Sequence, residues 1–220
     1  MTLSIIQLDT QTEPDCAVIW LHGLGANGHD FEPIIEQLNL PKSVRTRFIF
    51  PHAPIQAVSL NNGMHMPAWY NIYGFNLDSQ EDATGVEAIN VKIAALIDQQ
   101  VAAGIAANRI VLAGFSQGGA LTLYAGLSYP RRLAGLLAMS CYLPLRQQLQ
   151  HYAAHADPSL PIFLAHGTQD EVVSLNFAQR ARELLEAFGF AIDWREYPCA
   201  HTVCAEEIAD IRTWLLQCWQ

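Results

Sequence analysis

Uninterrupted runs of apolar residues predict the strands of this chain. The clearest run extends from Cys16 to Leu21, and the run from Ile110 to Ala113 has the same character. A strand that is covered on both faces shows no alternation of polar residues, so these runs predict buried strands of a parallel sheet. Similar or shorter runs predict further strands at 5–8, 48–50, 133–140, 161–165 and 191–197.

Segments with apolar residues at helical spacing lie between these strands. In the longest helical segment, about 79–103, the spaced apolar residues are Val86, Ile89, Ile93, Leu96 and Ile97. Strands that alternate with helices predict an α/β fold with a mostly parallel sheet and helices on both faces. The 220 residues suit a single domain over 1–220. Further helices are expected at about 30–38 with Asp30 as the N-cap, 120–127, 145–154, 174–188 and 205–219.

The composition limits the classes of partner. The net charge is −9 and 51% of the residues are hydrophobic, so neither a nucleic-acid groove nor electrostatic binding to anionic membranes is expected. The N-terminal residues lack a basic region and a long apolar core, and no apolar stretch is long enough for integral membrane association. With five scattered cysteines and no export signal, we expect a cytoplasmic protein with reduced thiols.

One turn carries a pattern that indicates chemistry. The segment Gly114-Phe115-Ser116-Gln117-Gly118 fits G-x-S-x-G, the nucleophile elbow, and it lies between a predicted buried strand and an apolar helix. A serine at such a sharp turn has a strained backbone, and a side chain at either glycine would collide with the turn or the adjoining strand. The alternative is a glycine-rich strand-to-helix turn without chemistry.

Two residues that follow later strands are the candidate partners of Ser116. The order Ser116, Asp170, His201 is the chain order of α/β-hydrolases. His201 would accept the serine proton, and Asp170 would orient the imidazole and stabilise its charged form. Glu171 stays open as an alternative to Asp170, and an exposed or helix-capping role stays open for His201.

Acyl transfer also needs N–H donors for the oxygen that becomes negatively charged. One donor is expected from Gln117, the residue after the serine. The other is expected from the glycine-rich loop after the first buried strand, at Leu24. His22 lies in the same loop, and we expect it to support this loop through hydrogen bonds and not to act as a second base.

Five segments in chain order carry a family resemblance. They are His22-Gly23-Leu24-Gly25-Ala26, Pro67-Ala68-Trp69-Tyr70, the stretch from Gly114 to Ala120, His166-Gly167-Thr168-Gln169-Asp170, and His201. Together they resemble the small carboxylesterase/acyl-protein thioesterase family of α/β-hydrolases over nearly the full chain. The resemblance implies hydrolysis of fatty-acyl esters or thioesters without a cofactor or a metal. It also supports the triad and the two oxyanion donors.

Several residues depart from the pattern of that family. Asn27 and Asn71 stand where aspartate is usual, Cys141 replaces a small glycine, and Cys199-Ala200 precedes His201 where methionine and glycine are usual. Because no catalytic group is removed, these changes bear on substrate choice more than on activity. One hypothesis is that oxidation of Cys199 slows the enzyme, and an inert buried thiol is the alternative.

The long segment 51–78 is expected to be irregular and to shape the substrate site. Its residues Met66, Trp69, Tyr70 and Phe75 are predicted to line an acyl groove together with Leu24, and core packing is the alternative role. Only residues 141–160 separate two later strands, which is too few for a large cap domain. The sequence therefore predicts an open cleft.

Other functions stay open at this point. A catalytically silent binding protein could use the same scaffold, and lysophospholipase-type activity fits the same motifs. His151 and His155 have the spacing of metal ligands, but no acid is placed as in H-E-x-x-H, so a polar helix surface is the better explanation. The substrate would be a small molecule or an acylated protein. Exposed apolar residues near the cleft are compatible with a homodimer as well as with substrate binding.

Overall fold

A seven-stranded sheet organises the protein in the computed structural model, which describes residues 2–74 and 80–220. The strand order is β1-β3-β2-β6-β7-β8-β9. Strand β1 pairs with β3 in antiparallel orientation, and the other neighbours in this sheet are parallel. The strands are β1 Ile5–Asp9, β2 Cys16–Leu21, β3 Thr46–Pro51, β6 Ile110–Phe115, β7 Gly135–Met139, β8 Ile162–Gly167 and β9 Ile192–Tyr197.

Helices cover both faces of this sheet, which confirms the predicted α/β-hydrolase architecture. Alternate residues of β2 belong to different apolar clusters: Ile19 and Leu21 pack on the face of α2, α3 and α5, and Val18 and Trp20 pack on the face of α1 and α6. The continuous apolar run of β2 follows from this burial on both sides. The helices are α1 Ile34–Leu38, α2 Ala83–Ala102, α3 Gln117–Ser128, α4 Leu149–Tyr152, α5 Leu175–Ala187 and α6 Ala205–Cys218.

The segment after β2 differs from the predicted helix at 30–38. A 3₁₀ turn at Gly28–Phe31 comes first, and its cap is Asn27. The Asn27 side chain accepts the His29 N–H at 2.9 Å, and the Asp30 carboxylate accepts the Asn27 N–H at 2.7 Å. Asp30 therefore supports the cap from inside the turn. The helix α1 begins only after Pro33.

Within the segment 51–78, the described residues 51–74 are more regular than the sequence indicated. Strands β4 Ile55–Val58 and β5 Met64–Pro67 form an antiparallel hairpin outside the main sheet. The following helix α2 begins at Ala83, where the Asp82 carboxylate accepts the Gly85 N–H at 3.0 Å. The earlier start predicted near residue 79 lies outside the described residues.

Between β7 and β8, residues 141–160 contain a 3₁₀ turn at Arg146–Gln148 and the one-turn helix α4. This segment is too small for a cap domain, as predicted, so the carboxyl ends of the central strands stay accessible. Among the described residues, no helix combines the length and the hydropathy that a membrane span requires.

Candidate active site

Ser116 lies at the turn between β6 and α3, at the carboxyl edge of the sheet. Its backbone has φ 56° and ψ −120°, a conformation that residues with a side chain rarely adopt. The Ser116 N–H donates to the carbonyl of Met139 on the neighbouring strand β7 at 2.9 Å. This bond and the helix that follows hold the strained turn in place.

The two glycines around Ser116 permit a close approach between backbones. A Cβ atom at Gly114 would lie 2.2 Å from the Gly118 carbonyl oxygen, and one at Gly118 would lie 2.2 Å from the Leu21 carbonyl oxygen. Real Cβ atoms do not tolerate such distances, so both positions require glycine. The elbow therefore packs directly on the end of β2.

Asp170 and His201 meet at the ends of β8 and β9. The Asp170 Oδ2 atom lies 2.7 Å from His201 Nδ1. The Asp170 Oδ1 atom accepts the N–H groups of Val172 at 2.9 Å and Val173 at 2.8 Å, and the carboxyl group has no exposed surface. Glu171 is exposed. The geometry thus favours Asp170 over Glu171 as the partner of His201.

A second histidine contacts Asp170, and sequence reasoning missed its role. His166 Nε2 lies 2.7 Å from the Val173 carbonyl oxygen and 3.3 Å from Asp170 Oδ2. Burial lowers the pKa of His166 below its usual value, so the ring is neutral at neutral pH. With its proton on Nε2, His166 donates to the Val173 carbonyl, and the ring packs beside the Asp170 carboxylate. The position at the end of β8, four residues before the acid, was the available signal.

Ser116 and His201 line the same open cleft, which has a volume of about 390 Å³. The His201 ring packs on the Phe115 ring with a centroid distance of 4.7 Å. Apolar side chains form much of the wall, and sequence reasoning identified only Leu24 among them, although Phe115 and Val203 are near neighbours of the catalytic candidates. The large apolar side chains in the lining are Leu24, Phe31, Ile34, Phe115, Val203 and Ile208.

The predicted oxyanion donors lie on two segments that converge at Ser116. Gln117 is the first residue of α3, and N–H groups in the first turn of a helix have no partner within that helix. Leu24 follows Gly23, where an added Cβ would lie 3.4 Å from the Ser116 Cβ. Leu24 also lines the cleft beside Ser116.

The Gln117 side chain has a further role that the sequence did not indicate. Its Oε1 atom accepts the Trp69 N–H at 2.9 Å, and its Nε2 group donates to the Tyr70 carbonyl at 2.7 Å. Gln117 is buried, so it ties the start of the elbow helix to the bend after β5. Trp69 and Tyr70 are 48 and 47 residues away from Gln117 in the sequence, and no local sequence pattern reveals contacts over such a separation.

The structure corrects the groove prediction at Trp69 and Tyr70. Trp69 is 1% exposed and its indole N–H donates to the His22 carbonyl at 2.8 Å. Tyr70 is 3% exposed and its hydroxyl lies 2.7 Å from the Tyr142 hydroxyl. Neither side chain lines the cleft, because both are core residues.

The remaining groove residues have different outcomes. Leu24 is part of the cleft wall. Met66 is half-buried in β5, where its sulfur would contact a side chain placed at Gly25. Phe75 lies outside the described residues.

His22 supports the loop that carries Leu24. Its Nε2 atom accepts the Ala53 N–H at 3.1 Å, and Nδ1 therefore carries the proton and donates to the Gly23 carbonyl at 2.8 Å. Burial lowers the pKa of His22 below its usual value. A neutral ring with both nitrogens bonded is a structural support, in agreement with the role expected from the sequence.

The segment that carries His201, residues 198–204, is here called the base loop. Cys199 is half-buried on it, and burial raises the pKa of its thiol to about 11. Little thiolate is then present at neutral pH, which disfavours the hypothesis that oxidation of Cys199 controls activity.

Outside the triad, one group of three potential metal ligands lies close together among the described residues. It consists of Cys199, Cys204 and Glu207. His151 on α4 and His155 after it belong to no such group among these residues, which agrees with a polar surface role.

Comparisons with known proteins were consistent with one another. The sequence profile described as Phospholipase/Carboxylesterase matches residues 4–219. Acyl-protein thioesterase 1 of Cryptococcus neoformans is 35% identical over 98% of both chains, and that of Yarrowia lipolytica is 36% identical over 96% of this chain and 95% of its own. The crystal structure of SOBER1 from Arabidopsis thaliana has a TM-score of 0.88 at 31% identity, covering 93% of this chain and 99% of SOBER1.

Proposed function

The chain belongs to the phospholipase/carboxylesterase family, and on that premise we propose that it hydrolyses acyl esters or thioesters through a triad of Ser116, His201 and Asp170. Ester or thioester hydrolysis follows from its relatives. The observation that best supports the triad is that its three residues come close together in the folded chain. His201 lies 2.7 Å from Asp170 and shares one cleft with Ser116, although the three residues come from three different strand ends.

The contact with Asp170 supports a separate role for each nitrogen of His201. Asp170 accepts the proton of Nδ1, which leaves Nε2 as the base for the Ser116 hydroxyl. Ser116 Oγ attacks the carbonyl carbon of the substrate, and its proton moves to Nε2. The N–H groups of Leu24 and Gln117 stabilise the negative oxygen that forms.

The tetrahedral intermediate then collapses to an acyl-enzyme. The His201 imidazolium gives its proton to the leaving alcohol or thiol, and the acyl group stays on Ser116. A water molecule repeats the attack with His201 as the base, and it releases the carboxylic acid and the free serine. Each proton in this sequence moves between Ser116, His201, water and the leaving group, so the mechanism requires no cofactor.

The apolar residues of the cleft favour an acyl chain as the part of the substrate that binds beside Ser116. Phe31, Phe115 and Val203 provide apolar surface next to Ser116, and buried apolar surface contributes about 0.8 kcal/mol for each methylene group. The relatives named acyl-protein thioesterase support the same class of substrate. A lysophospholipid carries an equivalent acyl ester, so we propose it as the second substrate to test.

The triad is tested by labelling with a fluorophosphonate, which bonds to an activated serine oxygen and releases fluoride. Intact mass should show one adduct on the wild type, none on Ser116→Ala and strongly slowed labelling of His201→Ala. Ser174→Ala, at an exposed serine, is the matched control and should label like the wild type. Turnover should fall at least about 10⁴-fold in either triad variant and no further in the double variant.

Two results would overturn the proposal. An unlabelled but folded wild type would favour a binding protein on a hydrolase scaffold. A double variant that is far less active than both single variants would mean that Ser116 and His201 do not act as one unit.

A further inference from the structure

A cluster of three potential ligands lies on the base loop and the first turn of α6. The Cys199 Sγ, the Cys204 Sγ and a carboxylate oxygen of Glu207 are all within 4.8 Å of one another. None of these side chains takes part in the proposed reaction. The three are called the thiol–carboxylate cluster below.

Glu207 indicates that the cluster receives a ligand. The residue is 2% exposed, and its Oε1 atom is buried without a hydrogen-bond partner among the described groups. The carboxyl group receives the backbone N–H of Cys204, which leaves Oε1 unsatisfied. A buried polar atom without a partner costs free energy, so its position beside two thiols requires an explanation.

The donor set matches a particular class of ion. Two sulfurs and one carboxylate oxygen suit a borderline-soft divalent cation, above all zinc, which bonds to thiolate at about 2.3 Å and to carboxylate at about 2.1 Å in tetrahedral geometry. Two sulfurs around such an ion are about 3.8 Å apart, so the cluster has to contract by at most about 1 Å to close around it. The half-burial of both thiols lets the ion enter from solvent.

We propose that Cys199, Cys204 and Glu207 bind one Zn²⁺ ion, with water as the fourth ligand. A bound divalent cation deprotonates its thiol ligands directly, so the raised pKa of the Cys199 thiol does not prevent binding. A disulfide between the two cysteines is the competing reaction. It would join the sulfurs but leave Glu207 Oε1 without a partner, and for this reason the cluster favours the metal.

The site is coupled to the base of the triad through the base loop. The two cysteines stand two residues before and three residues after His201, and the Cys199 carbonyl accepts the Gln169 N–H at 3.0 Å. Drawing both sulfurs onto one ion therefore shifts the backbone that positions His201. Because a misplacement of about 1 Å can cost about 100-fold in rate, we expect zinc to slow turnover. This effect on rate, unlike the binding itself, rests on the proposed function.

Binding is tested without activity, using reduced and metal-free protein and Co²⁺ as a probe. Thiolate-to-cobalt charge transfer should appear at one equivalent in the wild type and disappear when Zn²⁺ is added. Cys199→Ser, Cys204→Ser and the isosteric Glu207→Gln should each weaken binding at least about tenfold. Cys218→Ser, a half-buried cysteine elsewhere on α6, is the matched control and should bind normally. Ser116→Ala should also bind normally, because the ion does not use the triad.

Turnover with Zn²⁺ is the second measurement. Zinc should slow the wild type and Cys218→Ser, but leave Glu207→Gln unaffected at the same concentration. Equal cobalt affinity in Glu207→Gln and the wild type would overturn the site. So would a protein that forms a Cys199–Cys204 disulfide and, once that disulfide is reduced, binds no metal. Equal inhibition of every variant would place the ion at the triad and overturn the coupling.

Discussion

The nucleophile and the base of the proposed triad lie on segments that are built differently. The elbow around Ser116 is buried, and the backbones of Gly114 and Gly118 contact neighbouring backbone carbonyls. The base loop is half-exposed. Gly167 packs against its Cys199 and Ala200 carbonyls, and hydrogen bonds such as that from Gln169 N–H to the Cys199 carbonyl at 3.0 Å hold it. The base also depends on side chains, since Asp170 orients His201 and His166 contacts Asp170.

Because of this difference, we expect the position of Ser116 to be fixed and the position of His201 to be adjustable. The position of the serine follows from backbone packing, which tolerates no added atoms and therefore changes only with the fold. The position of the histidine follows from a half-exposed loop outside the strands, so displacing it leaves the sheet intact. A ligand or a substitution that changes rate without changing stability is therefore expected to act through the base loop.

Two glycine substitutions test this contrast most strongly. Gly118→Ala places a Cβ 2.2 Å from the Leu21 carbonyl oxygen and should lower the free energy of unfolding by roughly 3 to 5 kcal/mol. Gly167→Ala places one 2.4 Å from the Cys199 carbonyl oxygen and should displace the base loop. We expect it to reduce kcat/KM about 100-fold with a smaller loss of stability. Urea denaturation and steady-state kinetics measure both effects, and a larger loss of stability in Gly167→Ala would contradict the contrast.

Replacing Gln117 should have an intermediate effect. Gln117→Met removes both side-chain bonds and leaves the Trp69 N–H and the Tyr70 carbonyl buried and unpaired, which should cost about 2 to 3 kcal/mol of unfolding free energy. The matched control is Gln56→Met, which removes one bond to the Ala68 carbonyl at a half-buried position and should cost about 1 kcal/mol. Equal costs in thermal unfolding would mean that Gln117 does not brace the elbow.

The smallest expected effect concerns pH and the loop beside the elbow. Because burial lowers the pKa of His22, the folded protein binds no proton there, whereas the unfolded chain does below about pH 6.5. Stability should therefore fall as the pH drops from 6.5 towards the lowered pKa, with a slope of at most about 1.4 kcal/mol per pH unit from this group. His22→Gln, which keeps an acceptor for the Ala53 N–H, should make the slope shallower.

The control for this pH dependence is His65→Gln, at an exposed histidine on β5. It should retain the wild-type slope in urea denaturation between about pH 7.5 and about pH 5.5. A wild-type slope in His22→Gln would mean that this ring is not held neutral in the folded protein.

The sequence predicted the central part of the fold closely, for a physical reason. Strand β2 is buried on both faces, so the structure has it at the predicted residues, Cys16–Leu21. The elbow and the two later triad candidates, Asp170 and His201, could also be predicted from the sequence, because each follows a recognisable strand. The cap of the 3₁₀ turn was not, since both Asn27 and Asp30 are good capping residues and only the fold decides between them.

The missed parts of the site depend on contacts between distant residues. Trp69 was placed in a groove because it is an aromatic residue in a long loop, but its burial depends on His22 and Gln117, which are 47 and 48 residues away. The thiol–carboxylate cluster combines a loop with a helix turn, at a spacing that matches no motif considered from the sequence. Such arrangements appear only when the chain has folded around them.

The strand order has a consequence for how the protein is made. Strand β6 pairs with β2, Val111 opposite Val18, across a long intervening segment, and closing such segments makes folding slow. His201 follows Ser116 by more than a third of the chain, in the loop after β9, so it leaves the ribosome well after the elbow. A nascent chain that ends before β9 therefore carries Ser116 without His201. On the proposed mechanism, the serine is unreactive in such a chain and becomes reactive only when β9 and the base loop have been added to the sheet.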